Sequence, residues 1–141
     1  MREIIHYERC KKEFLKKVEP DKDKIISILK VSKARVKSIQ QIKKDRETSS
    51  IIAVMYYETI RELLTALLLK NGLKSGNHEC LISFFKETYP EYEYESFTVH
   101  QLKNIRNRIN YDGIFVEPSY LEQNEPEFRH SIDVLEGLIR R

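Results

Sequence analysis

The stretch Ser49 to Gly72 reads SSIIAVMYYETIRELLTALLLKNG. On a helix, Ile51, Ile52, Val54, Met55, Ile60, Leu63, Leu64, Leu67, Leu68 and Leu69 cover most of the circumference. A helix that is apolar nearly all round belongs at the centre of a fold, because no face of it is content in water. Ser49 or Ser50 opens it with a side-chain oxygen for the first free amides. Asn71-Gly72 closes it in a left-handed cap. Its uncharged run, Ser49 to Tyr57, is far below the ~20 residues that cross a bilayer. Near its N-terminal half lies a polar cluster of Tyr56, Tyr57, Glu58, Arg61 and Glu62. Glu58 and Arg61, three apart, predict an ion pair at a surface patch.

The flanking segments also read as helices. Upstream, Ile25, Leu29, Ser32, Val36 and Ile39 recur at steps of three and four, and Asp21 or Asp23 after Pro20 caps the start. From Lys24 to Lys44 there are seven basic residues and no acid. Lys30, Lys33, Lys37 and Lys44 form a stripe away from the apolar one: a solvated face, or a track for phosphates. Downstream, Ser75-Gly76-Asn77 begins a short helix with Leu81, Phe84 and Phe85 inside, ending before Tyr89-Pro90. Glu91-Tyr92-Glu93-Tyr94-Glu95 alternates like a strand but has no partner strand, so it reads as an acidic loop. Ser96 or Thr98 caps the next helix, which has Leu102, Ile105 and Ile109 inside and stops at Asp112-Gly113. Asn124, with Glu127 three residues on, starts the closing helix, whose inner face is Phe128, Ile132, Leu135 and Ile139. Residues 1–20 add a peripheral helix through Ile4, Tyr7, Phe14 and Val18. The fold class is all-α: an up-down bundle of four to five helices in one domain, 1–141.

Composition narrows the function. The chain has 141 residues, 40% apolar and 33% charged, with a net charge of +3. That apolar fraction fills a core, so a disordered chain is excluded. The mild positive balance permits an anionic partner without requiring one. Cys10 and Cys80 form no CxxC pair and read as two separate thiols of a reduced, cytoplasmic protein. No signal-peptide pattern precedes them, and no membrane association is expected. There is no Gly-rich phosphate loop, HExxH, Cys/His cluster or Gly-x-Ser-x-Gly elbow. No cofactor and no metal is therefore expected.

The unusual segment is Lys103-Asn104-Ile105-Arg106-Asn107-Arg108-Ile109-Asn110-Tyr111, with three Asn in a helix that Asn does not favour. His100, Asn104, Asn107 and Tyr111 fall on one stripe opposite the core. Such a face is more often Lys and Glu when it meets only water. This seam is therefore a candidate interface with another helix, a second subunit or a ligand.

Arg106-Asn107, followed at short spacing by Tyr111 near the end of the penultimate helix, resembles the signature of HEPN domains, helical bundles of about this size. That signature runs Arg, a polar residue such as Asn, a few positions, then His. Arg106 and Asn107 match the first two places, and Tyr111 stands where the family has His. The order of helices from Pro20 to Arg141 is similar as well. The resemblance implies a homodimer in which the two signature helices meet and line a shared cleft for RNA or a nucleotide. It implies catalytic-site positions at Arg106, Asn107 and Tyr111. Nucleic-acid contacts fall to Arg106, Arg108, Lys103, Lys33 and Lys37, and the subunit interface to His100, Asn104, Asn107 and Tyr111. In ribonuclease members the His moves a proton and the Arg stabilises phosphate charge without a metal. A phenol of ordinary pKa, near ~10, is a poor base at neutral pH. Tyr111 thus implies binding more than cleavage, with stacking on a base its best use. Some members pair with a small nucleotidyltransferase that adenylates a tyrosine near the signature, which makes that enzyme a candidate partner and Tyr111 a conceivable acceptor. The alternatives are a non-catalytic helical protein–protein interaction module and a weak metal-independent endoribonuclease.

Overall fold

The computed structural model describes residues 3–141. Among them are six helices and one short ribbon: α1 (Tyr7–Glu13), β1 (Leu15–Lys17), α2 (Lys22–Gln41), α3 (Thr48–Lys70), β2 (Leu73–Ser75), α4 (His78–Thr88), a 3-10 turn (Pro90–Tyr92), α5 (Glu93–Asp112) and α6 (Pro118–Arg140). The architecture is the all-α bundle that the periodicity predicts. Among the described residues, no helix is long and apolar enough to cross a membrane.

Helix α3 is the axis. It packs against α2, α4, α5 and α6 at once, and Ile52, Ala53, Ile60, Leu63, Ala66 and Leu67 on it have no exposed surface. Its start is tied by Asp45 rather than by its serines. The Asp45 carboxylate accepts from the Glu47 and Thr48 amides, and Ser49 Oγ donates to the Asp45 carbonyl. Its end is as expected: Asn71 Nδ2 donates to the Leu67 carbonyl, and Gly72 takes a positive φ of 71°. Helix α2 caps through Asp21, whose side chain accepts from the Lys24 amide at 3.0 Å. Its stripe of Ile25, Leu29, Val36 and Ile39 lies on the core.

Four expectations are corrected. First, the N-terminal segment is not purely helical: β1 pairs antiparallel with β2, with Leu15 opposite Ser75, Lys16 opposite Lys74 and Lys17 opposite Leu73. The ribbon forms because Gly72 turns the chain back beside residues 15–18, where its carbonyl accepts from the Val18 amide. Second, Glu91–Glu95 is not a loop. The 3-10 turn leads straight into α5, and Ser96 and Thr98 bond back to the Tyr92 and Tyr94 carbonyls inside the helix instead of capping it. Third, α6 begins at Pro118, where proline at the first helical position costs no amide bond. Asn124 lies inside this helix and donates to the Tyr120 carbonyl. Fourth, Cys10 and Cys80 are not free thiols. They form a disulfide with Cα atoms 5.6 Å apart, joining α1 to α4. The cysteines therefore do not mark a reducing compartment.

The disulfide closes a span of 70 residues, so loop-closure entropy predicts a contribution of about 4 kcal/mol. Urea unfolding of a Cys10→Ser/Cys80→Ser variant should show a loss of that order. A midpoint unchanged from the parent would mean that the bond is not formed in solution.

Candidate nucleotide and nucleic-acid site

Helix α5 presents its signature residues on two faces. Toward α3, the Arg106 guanidinium lies 5.3 Å from the Tyr57 ring centroid. One terminal nitrogen bonds Glu58 at 3.2 Å and the other bonds Asn107 Oδ1 at 3.1 Å. Its Nε is buried and has no partner among the described residues. Glu58 also takes both Arg61 Nε and a terminal nitrogen, at 3.0 and 2.8 Å. The predicted Glu58–Arg61 pair thus exists, but it belongs to a four-residue cluster that crosses from α3 to α5. Glu62, expected in the same patch, turns instead to Arg35 on α2 at 2.8 Å.

Burial pushes the Glu58 carboxyl up, but the Arg61 hydrogen bond and the charges of Arg61 and Arg106 outweigh it and hold it below the ordinary carboxylate value. Burial raises the Tyr57 phenol to about 12, against the pull of Arg106. Tyr57 is therefore a neutral platform under the guanidinium.

The second face looks toward α6. Asn104, Asn107, Arg108 and Tyr111 line a groove of about 860 Å³ whose far wall includes Tyr120, Asn124 and Phe128. Asn104 Nδ2 is buried there with no partner. Asn107 connects the two faces: it accepts from Arg106 and also lines the groove. Tyr111, one of its lining residues, stands open at 77% exposure. Amide donors and acceptors, one guanidinium and several rings in one groove suit the edges and faces of a base. Arg106 itself lies on the α3 side, held by Glu58.

Two of the expected site residues are buried, and one of them lies away from the groove. His100 is 1% exposed, because residues 3–8 and α4 lie over that end of α5 and share a hollow with it. It is not part of an open seam with Asn104 and Tyr111. Lys103 borders the groove but is 7% exposed, and its ammonium is paired with Glu79 at 3.1 Å, so it is not a free cation for phosphate. Lys33 and Lys37 are exposed on α2, whose packing partner is α3, while Arg106 and Arg108 ride on α5.

No family model, curated protein or solved structure matches this chain. The groove and the Glu58 cluster therefore stand on their own geometry. Sequence reading missed Tyr57, His78, Tyr120 and Phe128 as neighbours of the signature helix. Only Tyr57 and Glu58 carried a signal, as polar residues inside the most apolar helix. Among the described residues no group of His, Cys, Asp and Glu is placed to hold a metal ion.

The pH dependence of stability follows from Glu58. Its folded pKa lies below the ordinary value of 4.5, so its contribution is complete above that value and is lost as pH falls through the folded one. Glu58→Gln should cost about 2 kcal/mol at neutral pH, because two guanidinium groups lose the negative charge between them and one of them loses its oxygen acceptor. It should also flatten the acid limb in urea midpoints measured from pH 7 to pH 3. An unaltered acid limb would show that the cluster does not form.

Proposed function

We propose that this chain is an HEPN-like homodimer that binds RNA or a nucleotide, of the toxin–antitoxin or nucleotidyltransferase-partner type, and that it binds rather than cleaves. The observation that carries this reading is the groove between α5 and α6, lined by Asn104, Asn107, Arg108 and Tyr111 and walled by Tyr120 and Phe128. A base face stacks on an exposed ring such as Tyr111 for ~1–3 kcal/mol, and amides read its edges. Arg106 then serves in part as a positioning residue: it holds Asn107 by a hydrogen bond and is itself held by Glu58. Its unpartnered Nε is available to a ligand or a second subunit that reorganises the cluster. The open Tyr111 ring in the groove's lining, with exposed Phe115 four residues further along the chain, favours a second copy as the remaining wall. An RNA ligand implies a cytoplasmic protein. The buried Cys10–Cys80 bond would then be an exception to the usual reduced state of that compartment.

Cleavage would need a group that takes or gives a proton near neutral pH, and the groove's lining holds no histidine and a single carboxylate, Asp112. Asp112 is the last residue of α5, and an exposed carboxylate is a weak base at neutral pH.

The test is fluorescence anisotropy with a labelled single-stranded RNA, alongside a mass measurement of the oligomer. Affinity should fall with salt by ~0.7 logarithmic units per phosphate contact for each decade. Tyr111→Ala and Asn107→Ala should each weaken binding about tenfold, with Tyr111→Ala leaving the fold intact because its ring is exposed. RNA incubated in EDTA should remain whole. A monomer, or binding indifferent to both substitutions, would overturn the proposal. A dimer that ignores RNA at low salt and dissociates on Tyr111→Ala would select the protein–protein module instead.

A further inference from the structure

A second concavity lies on the other side of the Glu58 cluster. It is a hollow of about 230 Å³ where the N-terminal turn of α2, the middle of α3, strand β2 and the start of α4 converge. Lys24, Arg61, Lys74 and His78 line it, together with the hydroxyl residues Thr65 and Ser75, and no carboxylate does. Carboxylates nearby are already engaged. Glu58 is shared between Arg61 and Arg106. Glu79 pairs with Lys103. Asp21 accepts from the Lys24 amide as a helix cap. One acid between two guanidinium groups leaves a positive excess at Arg61, and the lysines add to it.

The ribbon raises the same excess. Lys74 sits directly opposite Lys16 in the antiparallel pair, and like charges facing each other across strands are destabilising. An anion beside Lys74 would relieve that repulsion. His78 senses the same field. Burial holds its pKa below the usual histidine value, and Arg61, Arg106 and Lys103 push it further down against the opposing pull of Glu58. The Tyr57 hydroxyl lies 3.4 Å from its Nδ1.

We propose that this hollow, built by Lys24, Arg61, Lys74 and His78 with Thr65 and Ser75, binds a phosphate group, either as the free ion or as the terminal group of a small phosphomonoester. Its volume is below the ~300–1,000 Å³ of sites that enclose drug-sized ligands, so it fits a compact anion and not a whole nucleotide. Arginine supplies directional donors, the lysines supply mobile point charges, and the hydroxyls complete the oxygen contacts. The site is separate from the α5–α6 groove and does not depend on the RNA reading.

The experiment uses the full chain with its disulfide intact and follows the His78 ring by NMR while inorganic phosphate is added at constant ionic strength. The response should saturate, and the His78 titration midpoint should rise, since a bound dianion favours the protonated ring. Lys24→Ala and Lys74→Ala, both at exposed lysines, should each weaken phosphate about tenfold. Tyr111→Ala, which tests the groove, should leave phosphate binding unchanged. Ribose 5-phosphate binding tighter than inorganic phosphate would assign a phosphomonoester, and equal affinity would assign the free ion. A non-saturating response, one matched by chloride, or one insensitive to both lysine substitutions would overturn the proposal.

Discussion

Helix α3 has almost no face left for water, and the rest of the molecule is arranged around that constraint. Its leucines and isoleucines gain roughly 1.5–3 kcal/mol each when removed from water. Four neighbouring helices are needed to cover them: α2 and α6 pack along its length, and α4 and α5 close the remaining arc. Polar atoms drawn into this packing must then find partners, because an unpaired buried group is costly. Ser50 Oγ accepts the Val116 amide, Thr59 donates to the Met55 carbonyl, and Tyr56 donates to Glu125 on α6. Each of these bonds also fixes how a neighbour is seated. The central helix therefore sets both the core and its polar ties.

Glu58 is where that constraint meets function. A carboxylate on the buried helix cannot stay alone, so it recruits Arg61 from its own helix and Arg106 from α5. The recruitment has two consequences. Arg106 becomes part of the α3–α5 contact and passes its remaining hydrogen bond to Asn107, at the edge of the α5–α6 groove. Arg61 keeps only a share of the negative charge, and the hollow beside it stays positive. The amide-and-aromatic groove and the cationic hollow are thus two sides of one charge cluster.

Several local readings failed for identifiable reasons. Alternation in Glu91–Glu95 resembles a strand, yet Tyr92 stacks on Phe85 and Glu95 pairs with His130 Nε2 at 2.9 Å. The spacing reflects two different tertiary partners, one on the preceding α4 and one on α6, not a pleat. Asn124 resembles a cap because its residue type often caps, but Pro118 starts the helix earlier and Asn124 serves inside it. His100 shares a stripe with Asn107 and Tyr111 only on an isolated helix; residues 3–8 and α4 cover its end of that stripe. The cysteines have no local pattern at all. Their pairing depends on α1 lying against α4, a contact spanning 70 residues.

The sequence by itself determined the helical class, the central place of the helix opening at Ser49 or Ser50, the inner faces of α2, α4 and α6, and the glycine stops at Gly72 and Gly113. Those features follow from the 3.6-residue period and from backbone conformations that only neighbouring residues need to specify. It also exposed Asn107 and Tyr111 as misfits for a merely solvated face. Only the tertiary structure decided that Glu58 answers to Arg106, that Lys103 is consumed by Glu79, that His100 is covered, and that Lys24, Arg61, Lys74 and His78 meet around one hollow. Charges interact through space, with no period along the chain, so their partners become known only once the helices are packed.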